Sequence, residues 1–285
     1  MAVVVLLVNE SRPRAVELAG QAATWLVERG HGVRLPKRDA EAAGLPQFGA
    51  DDDLLVTGVD LAIALGGDGT MLRAVDLVAG HDTPVLGVNL GRLGYLTDVE
   101  VPALPTALER FLAGDYVVED RTMLTLAVSC NQGPPRGDHL ALNEAVVEKT
   151  EPGHTVHLRV NIDGQPFISY VADGLIIATP TGSTAYSFSA GGPIVSPRQE
   201  ALLLTPVAPH TPFSRSLVLH RDEPVRIEVL DHRGATLSVD GRELGRLGQG
   251  DSLSVRVAPV PAHFIRFEPR DFYGVLKAKF GLTDR

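Results

Sequence analysis

The chain has 285 residues, 44% hydrophobic and 21% charged, the balance of a folded globular protein with enough apolar material for one large or two modest domains. Lys plus Arg number 26 against 35 Asp plus Glu, a net charge of −9, so no global positive field favours nucleic acid or an anionic membrane, and any phosphate must be held locally. The single cysteine, Cys130, excludes an internal disulfide and a multi-cysteine metal site and fits a reducing, cytoplasmic setting, while no apolar run approaches the roughly 18 residues of a membrane span.

The opening MAVVVLLV lacks a basic leader and reads as a first strand, Val3 to Val8, not as a signal peptide. A helical pattern over Ala15 to Glu28 follows, then a second strand at His31 to Leu35. Residues 36 to 53 read as a Pro/Gly/Asp-rich connection ending in a solvated acidic loop, Asp51 to Asp53. Leu61 to Leu65 and Val85 to Asn89 read as buried strands flanking a helix, and residues 103 to 113 as a short amphipathic helix. Strands alternating with helices predict a doubly wound parallel sheet, whose ligands bind at the carboxyl ends of the strands. Beyond Tyr116 the periodicity changes to short alternating stretches: Met123 to Val128, Leu140 to Val147, Thr155 to Ile162, Phe167 to Tyr170, Leu175 to Ala178, Ser216 to Leu219, Val225 to Val229, Ala235 to Val239 and Ser252 to Val257. These predict an antiparallel β domain over 120–262, with Ser129 to Asp138 as a mobile excursion. The helical tail Phe272 to Phe280 returns to the first domain, which then comprises 1–119 plus 263–285.

Two stretches carry chemistry. Gly66-Gly67-Asp68-Gly69-Thr70 breaks the third strand and opens the next helix, so the backbone can turn tightly and present free N–H groups to a phosphate. Asp68 is out of place in a pure phosphate cradle; it orients a hydroxyl, accepts its proton or holds a metal ion, unless it serves only as a helix N-cap. Arg73, one turn on, is placed to pair with a phosphate or with Asp68, or to sit solvated on the helix. Leu90 to Thr97 is a second glycine-punctuated turn. The other rich stretch, Asp173 to Pro197, combines hydroxyls and glycines with the flat apolar ring of Tyr186, as a sugar and base pocket needs. No G-x-S-x-G frame supports a hydrolase there. Asn143-Glu144 interrupts an apolar strand, a weak signal alone, and Asp240-Gly241 reads as a hairpin turn. His154 and His157 lie three apart in a strand, on opposite faces, which does not suit a shared metal.

Taken together, GGDGT at 66–70, GVNLGRLGYLTD at 87–98, NEAVVEK at 143–149, DGLIIATPTGSTAYSFSAGGPI at 173–194 and RDFYGVLKAKF at 270–280 resemble the NAD kinase family in one order along nearly the whole chain. GGDGT alone is shared with diacylglycerol, sphingosine and phosphofructo-kinases; the long run is far more specific. The resemblance implies transfer of the terminal phosphoryl group of ATP or polyphosphate to the 2′-hydroxyl of the adenosine ribose of NAD, giving NADP. It implies Asp68 as proton acceptor, with Gly69 and Arg73 as nucleotide contacts. Asn143 and Glu144 would bond the NAD, His154 would line the same cleft, Asp173 would hold a polar edge, and Thr184, Ala185, Tyr186, Ser187, Phe188 and Ser189 would wrap ribose and base. A divalent cation, magnesium carried on the donor phosphates, and a homodimer or homotetramer are also implied. Val171 stands where some members carry a basic residue, leaving NAD against NADH open, and Tyr95 stands where Phe is usual. A lipid kinase is the nearest rival enzyme, though no basic amphipathic helix supports it; a nucleotide sensor without chemistry is the rival of another class.

Overall fold

The computed structural model describes residues 1–91, 94–130 and 138–282. Arg92 and Leu93 of the second glycine turn, and most of the excursion expected between Ser129 and Asp138, therefore lie outside the described residues. The chain divides into two compact units, Met1–Asp120 joined by the stretch from Ala262 onward, and Arg121–Pro261.

In the first unit β1 (Val3–Val8), α1 (Pro13–Glu28) and β2 (Gly32–Pro36) follow the expected order. Residues 36–53 are more structured than a loop: they hold α2 (Lys37–Ala42), a 3-10 turn at Pro46–Phe48 and β3 (Gly49–Ala50), and Asp51 stands at the N-cap of α3 (Asp52–Val56). These elements are too short to show a period, which is why their polarity reads as loop. Then come β4 (Leu61–Gly66), α4 (Asp68–Val78), β5 (Val85–Asn89), β6 (Val99–Glu100), α5 (Leu104–Leu112) and β7 (Val117–Arg121).

The second unit runs β8 (Leu124–Ser129), β9 (Asp138–Ala141), β10 (Glu144–Glu148), β11 (Val156–Ile162), β12 (Gln165–Ala172) and β13 (Gly174–Ala178). After the short α6 (Tyr186–Ser189) it continues with β14 (Ala201–Val207), β15 (Leu217–His220), β16 (Val225–Val229), β17 (Ala235–Val239), β18 (Arg242–Leu247) and β19 (Ser252–Val257). The chain then returns to the first unit as β20 (Ala262–Arg266) and α7 (Phe272–Phe280).

Among the described residues the first unit's sheet has the order β3-β2-β1-β4-β5-β20-β7, with β6 beside β5. Every β1–β2, β1–β4, β4–β5 and β5–β20 pairing is parallel. β1 and β4 are buried along nearly their whole length, so their continuous apolar runs serve both faces of the sheet. The strand order reverses direction between β1 and β4, and the register Val8 to Leu65 and Gly66 to Asn89 ends three strands at one level. That switch point is where an open parallel sheet leaves a crevice.

The second unit is a sandwich of two six-stranded sheets, β15-β14-β13-β10-β17-β18 and β12-β11-β16-β19-β8-β9. Alternate residues such as Leu124, Leu126, Leu158, Val160, Leu175, Ile177, Leu253 and Val255 fill the space between them. The stretch expected as one strand, Leu140 to Val147, is two: β9 pairs with β8 in one sheet, and β10 with β13 and β17 in the other. Leu142-Asn143 crosses between sheets, so the polar pair Asn143-Glu144 marks a change of layer. β14 escaped the sequence pattern because it is buried on both faces and contains Pro206. Pro206 lies past Leu204, the last residue paired with β15, where a missing N–H breaks no ladder.

Candidate active site

The carboxyl ends of β1 and β4 open into a cavity of about 550 Å³ lined by Asn9, Arg12, Arg38, Gly67, Asp68, Gly69 and Arg73 among others. Gly67 is the N-cap of α4 and Asp68 its first residue, so the cap reading of Asp68 gives way to an N-terminal position with free backbone N–H groups around it. The three glycines differ. A Cβ on Gly66 would run into the Thr70 hydroxyl and lie 2.7 Å from Thr70 Cβ, whereas nothing stands within 4 Å of one on Gly67 or Gly69. Internal packing therefore demands Gly66, while Gly67 and Gly69 leave space at the cavity.

Both oxygens of Asp68 are held: the Tyr95 N–H donates to Oδ2 at 2.8 Å and the Leu96 N–H to Oδ1 at 2.9 Å. Gly94 permits this, since a Cβ there would collide with Asp68 Oδ1. Arg73, half exposed, pairs with Asp39 at 2.6 Å and donates to the Val8 carbonyl at 3.1 Å, so its carboxylate partner is Asp39, not Asp68. Asp39 is buried and also accepts the Val8 N–H at 2.7 Å, tying α2, β1 and α4 together. No sequence signal marks Asp39, which falls in the polar stretch that reads as loop. Arg12, likewise unmarked in the sequence, donates to the Leu90 carbonyl at 2.8 Å, and Arg38 pairs with Glu10.

In the β unit the crossing from β9 to β10 is organised by Asp240. Its carboxylate accepts the N–H groups of Leu142 at 2.8 Å, Asn143 at 2.8 Å and Glu144 at 3.0 Å, the groups that the change of sheet removes from either ladder. Asp240 and Gly241 both have positive φ, 48° and 78°, as the expected hairpin turn needs, but the side chain does more than turn the chain. The Asn143 carbonyl accepts the Thr179 N–H at 2.8 Å, and a Cβ on Gly182 would strike the Asn143 backbone. Glu144 is buried; desolvation first, then the charge of Asp240, push its carboxyl up to about 8 against an opposing bond from the Tyr186 N–H. It is thus mainly a neutral acid at pH 7, with an O–H to donate.

The long hydroxyl-rich stretch lies on the outer face of this sheet, over Val146, Ile176, Ala178 and Leu203. It forms a 3-10 turn at Gly182–Thr184, the linker Ala185, and α6. Tyr186 is exposed by 38%, and its hydroxyl is raised by burial and by the nearby Glu148, Asp173 and Glu144 charges. Asp173 pairs with Lys149 at 2.8 Å. Thr184 Oγ1 donates to the Thr181 carbonyl at 3.2 Å, and Phe188 is half-buried while Ser189 is exposed. Ser187 is fully buried and bonded to Thr205 at 3.0 Å, so its hydroxyl faces the sheet. The structure therefore gathers Asn143, Glu144, Asp173 and residues 184–189. His154 is exposed, precedes β11 instead of lying in it, and shares a small separate recess with Arg233, 2.8 Å away. Among the described residues no group of three or more His, Cys, Asp or Glu could hold a metal ion, and no helix is long and apolar enough to cross a membrane.

Residues 4–116 match the ATP-NAD kinase N-terminal domain and residues 142–267 the ATP-NAD kinase C-terminal domain, so the α/β unit and the β-sandwich are the two halves of a kinase. The chain is 43% identical over 281 residues to the NAD kinase of Heliobacterium modesticaldum, covering 98% of each, and 40% identical to NAD kinase 1 of Streptomyces avermitilis, covering 98% and 87%. Among solved structures it is similar to yeast NADH kinase complexed with NADH, with a TM-score of 0.91 and 26% identity over 100% of this chain and 89% of that one. An Archaeoglobus fulgidus NAD kinase in complex with ATP shares the fold, with a TM-score of 0.73 at 24% identity, over 98% and 97% of the two chains. The chain belongs to the ATP-NAD kinase family.

Proposed function

We propose that this protein transfers the terminal phosphoryl group of ATP to the 2′-hydroxyl of the adenosine ribose of NAD, giving NADP, with Asp68 receiving the hydroxyl proton. The observation that carries the reading is the Asp68 carboxylate, clamped by two backbone N–H groups at the sheet's switch point beside an arginine-lined cavity. Each of its oxygens keeps a lone pair for the hydroxyl. Phosphoryl transfer passes through a loose transition state, so Asp68 aims the hydroxyl oxygen and takes the proton late, as suits a weak base. The N–H groups at the start of α4 and the guanidinium groups of Arg12, Arg38 and Arg73 face the phosphates.

The same cavity holds Glu10, Asp39 and Asp68, three carboxylates against three arginines, so the lining is neutral overall. The donor phosphates therefore bring their own counter-charge, magnesium bound to ATP as substrate. In the β unit Asn143, Glu144, Asp173 and the 184–189 stretch offer polar edges and the Tyr186 ring to the nucleotide, and His154 with Arg233 offers donors at the neighbouring recess. The buried Cys130, the one cysteine of the chain, fits a cytoplasmic protein, and exposed Tyr273 and Leu282 on and beyond α7 fit assembly into a homodimer or homotetramer.

The test is NADP formation from NAD and magnesium-ATP, read with an NADP-specific dehydrogenase, with polyphosphate and NADH as parallel arms. Product that vanishes in Asp68→Asn is expected. NAD binding with no product from any donor would make the protein a sensor and overturn the reading.

A further inference from the structure

The return segment of the chain, from β20 through α7, closes on the turn that holds Asp68. Arg270 Nη2 donates to the Gly94 carbonyl at 3.1 Å. That carbonyl belongs to the same peptide group as the Tyr95 N–H, which donates to Asp68 Oδ2 at 2.8 Å. One peptide unit thus bridges a guanidinium and the carboxylate. Arg266 Nη1 donates at 3.3 Å to the carbonyl of Leu96, the residue whose N–H donates to Asp68 Oδ1. Both arginine side chains are buried, 2% and 6% exposed, and both lie within 4 Å of Asp98, which follows the turn. α7 adds Phe272 against the Tyr95 ring, centroids 6.5 Å apart, and Lys279 Nζ 4.3 Å above its face.

We infer that Arg270, seconded by Arg266, is a positioning residue for the phosphoryl-transfer step: it acts through the Gly94–Tyr95 peptide to fix and polarise the N–H that orients Asp68. A cation on the carbonyl of a peptide strengthens the hydrogen bond its N–H gives, and a buried cation does so with little screening. The arrangement also explains why a segment so distant in sequence rejoins the first unit beside β5: it supplies the far wall of the Asp68 turn. The inference rests on the kinase reading, in which Asp68 acts on the hydroxyl.

The test is a double-mutant cycle on NADP formation, with Asp68→Asn, Arg270→Gln and the pair, each normalised to folded protein by NAD-binding stoichiometry. Arg270→Gln is expected to lower kcat by about ten- to a hundredfold, the cost of a small misplacement of a reacting group, while KM for NAD and ATP moves less than about threefold. In the Asp68→Asn background the same substitution is expected to add nothing to the loss in kcat. Arg270→Lys, which keeps charge and reach but loses the fork, is expected to recover part of the activity, and it carries the same cycle where Gln lowers the folded yield. Losses that multiply in the double mutant, or an effect on KM alone, would overturn the positioning role while leaving the kinase reading intact. A wild-type protein that makes no NADP, or one indifferent to Asp68→Asn, would overturn the kinase reading and this one with it.

Discussion

Replacing Glu144 by Gln should make the β unit less sensitive to alkali than the wild type. The carboxyl is buried, and its ionised form is opposed by lost hydration and by the Asp240 charge, so its pKa stands at about 8 in the fold against 4.5 in the open chain. The folded state then holds a proton that the unfolded state releases. Its contribution to stability is whole below pH 4.5, declines as pH rises, and is lost above pH 8. The full loss is of order 5 kcal/mol, and between about pH 5.5 and 9 it is about 3 kcal/mol. Gln keeps the shape and a donor but cannot ionise, so this slope disappears while titrating groups not coupled to Glu144 contribute alike to both proteins. The assay is amide hydrogen exchange across Glu144–Glu148 and Gly174–Ala178, the paired strands beside the carboxyl, at the two pH values. Protection should fall in the wild type by about 3 kcal/mol more than in Glu144→Gln. Parallel loss in the two proteins would refute the argument that Glu144 is held as a neutral acid.

Asp68→Asn should lower turnover by roughly a hundredfold or more with NAD affinity within about twofold, measured by steady-state kinetics and equilibrium binding. Gly66→Ala should lower the unfolding free energy by about 1–3 kcal/mol because its methyl overlaps Thr70, whereas Gly69→Ala, with open space around it and a better helix former, should hold or raise stability by up to about 1 kcal/mol while raising KM for ATP. Denaturant melts and ATP kinetics separate the two. Asp240→Ala should cost about 3 kcal/mol or more, since three N–H groups lose a charged acceptor, and should weaken NAD binding by displacing Asn143 and Glu144; urea unfolding and calorimetry check both.

What the sequence made legible was periodicity and punctuation. The apolar runs of β1 and β4, the alternation of β11, β16 and β19, and the glycine break before α4 are local signals, and each fell where the physics of burial puts it. What escaped was long-range. Nothing in the stretch around Asp39 announces that its carboxylate is to be buried under Arg73, and the Asn143-Glu144 interruption in Leu140 to Val147 does not say that the pairing partners change there, because which strand a segment pairs with is not written in its own residues. The strand pattern singles out Asn143-Glu144 and the family resemblance implies a role for the pair; only the structure shows that Asp240 holds their backbone.

Asp68 and Asp240 solve the same problem in two unrelated folds. A turn that presents a polar group must leave ladder positions, and each N–H so freed needs an acceptor. An ionised carboxylate offers acceptor lone pairs and no donor, so one side chain can satisfy two N–H groups at 95–96 or three at 142–144 without a mismatch. Asn in either place would set an NH2 against an N–H. The two substitutions nevertheless diverge in consequence. Asp240 is committed to three backbone N–H groups and is a fixture of the hairpin, whereas Asp68 stands in an open cavity with lone pairs to spare. Rigidity and availability in one carboxylate are what a group needs if it is to aim a hydroxyl without first giving up its place.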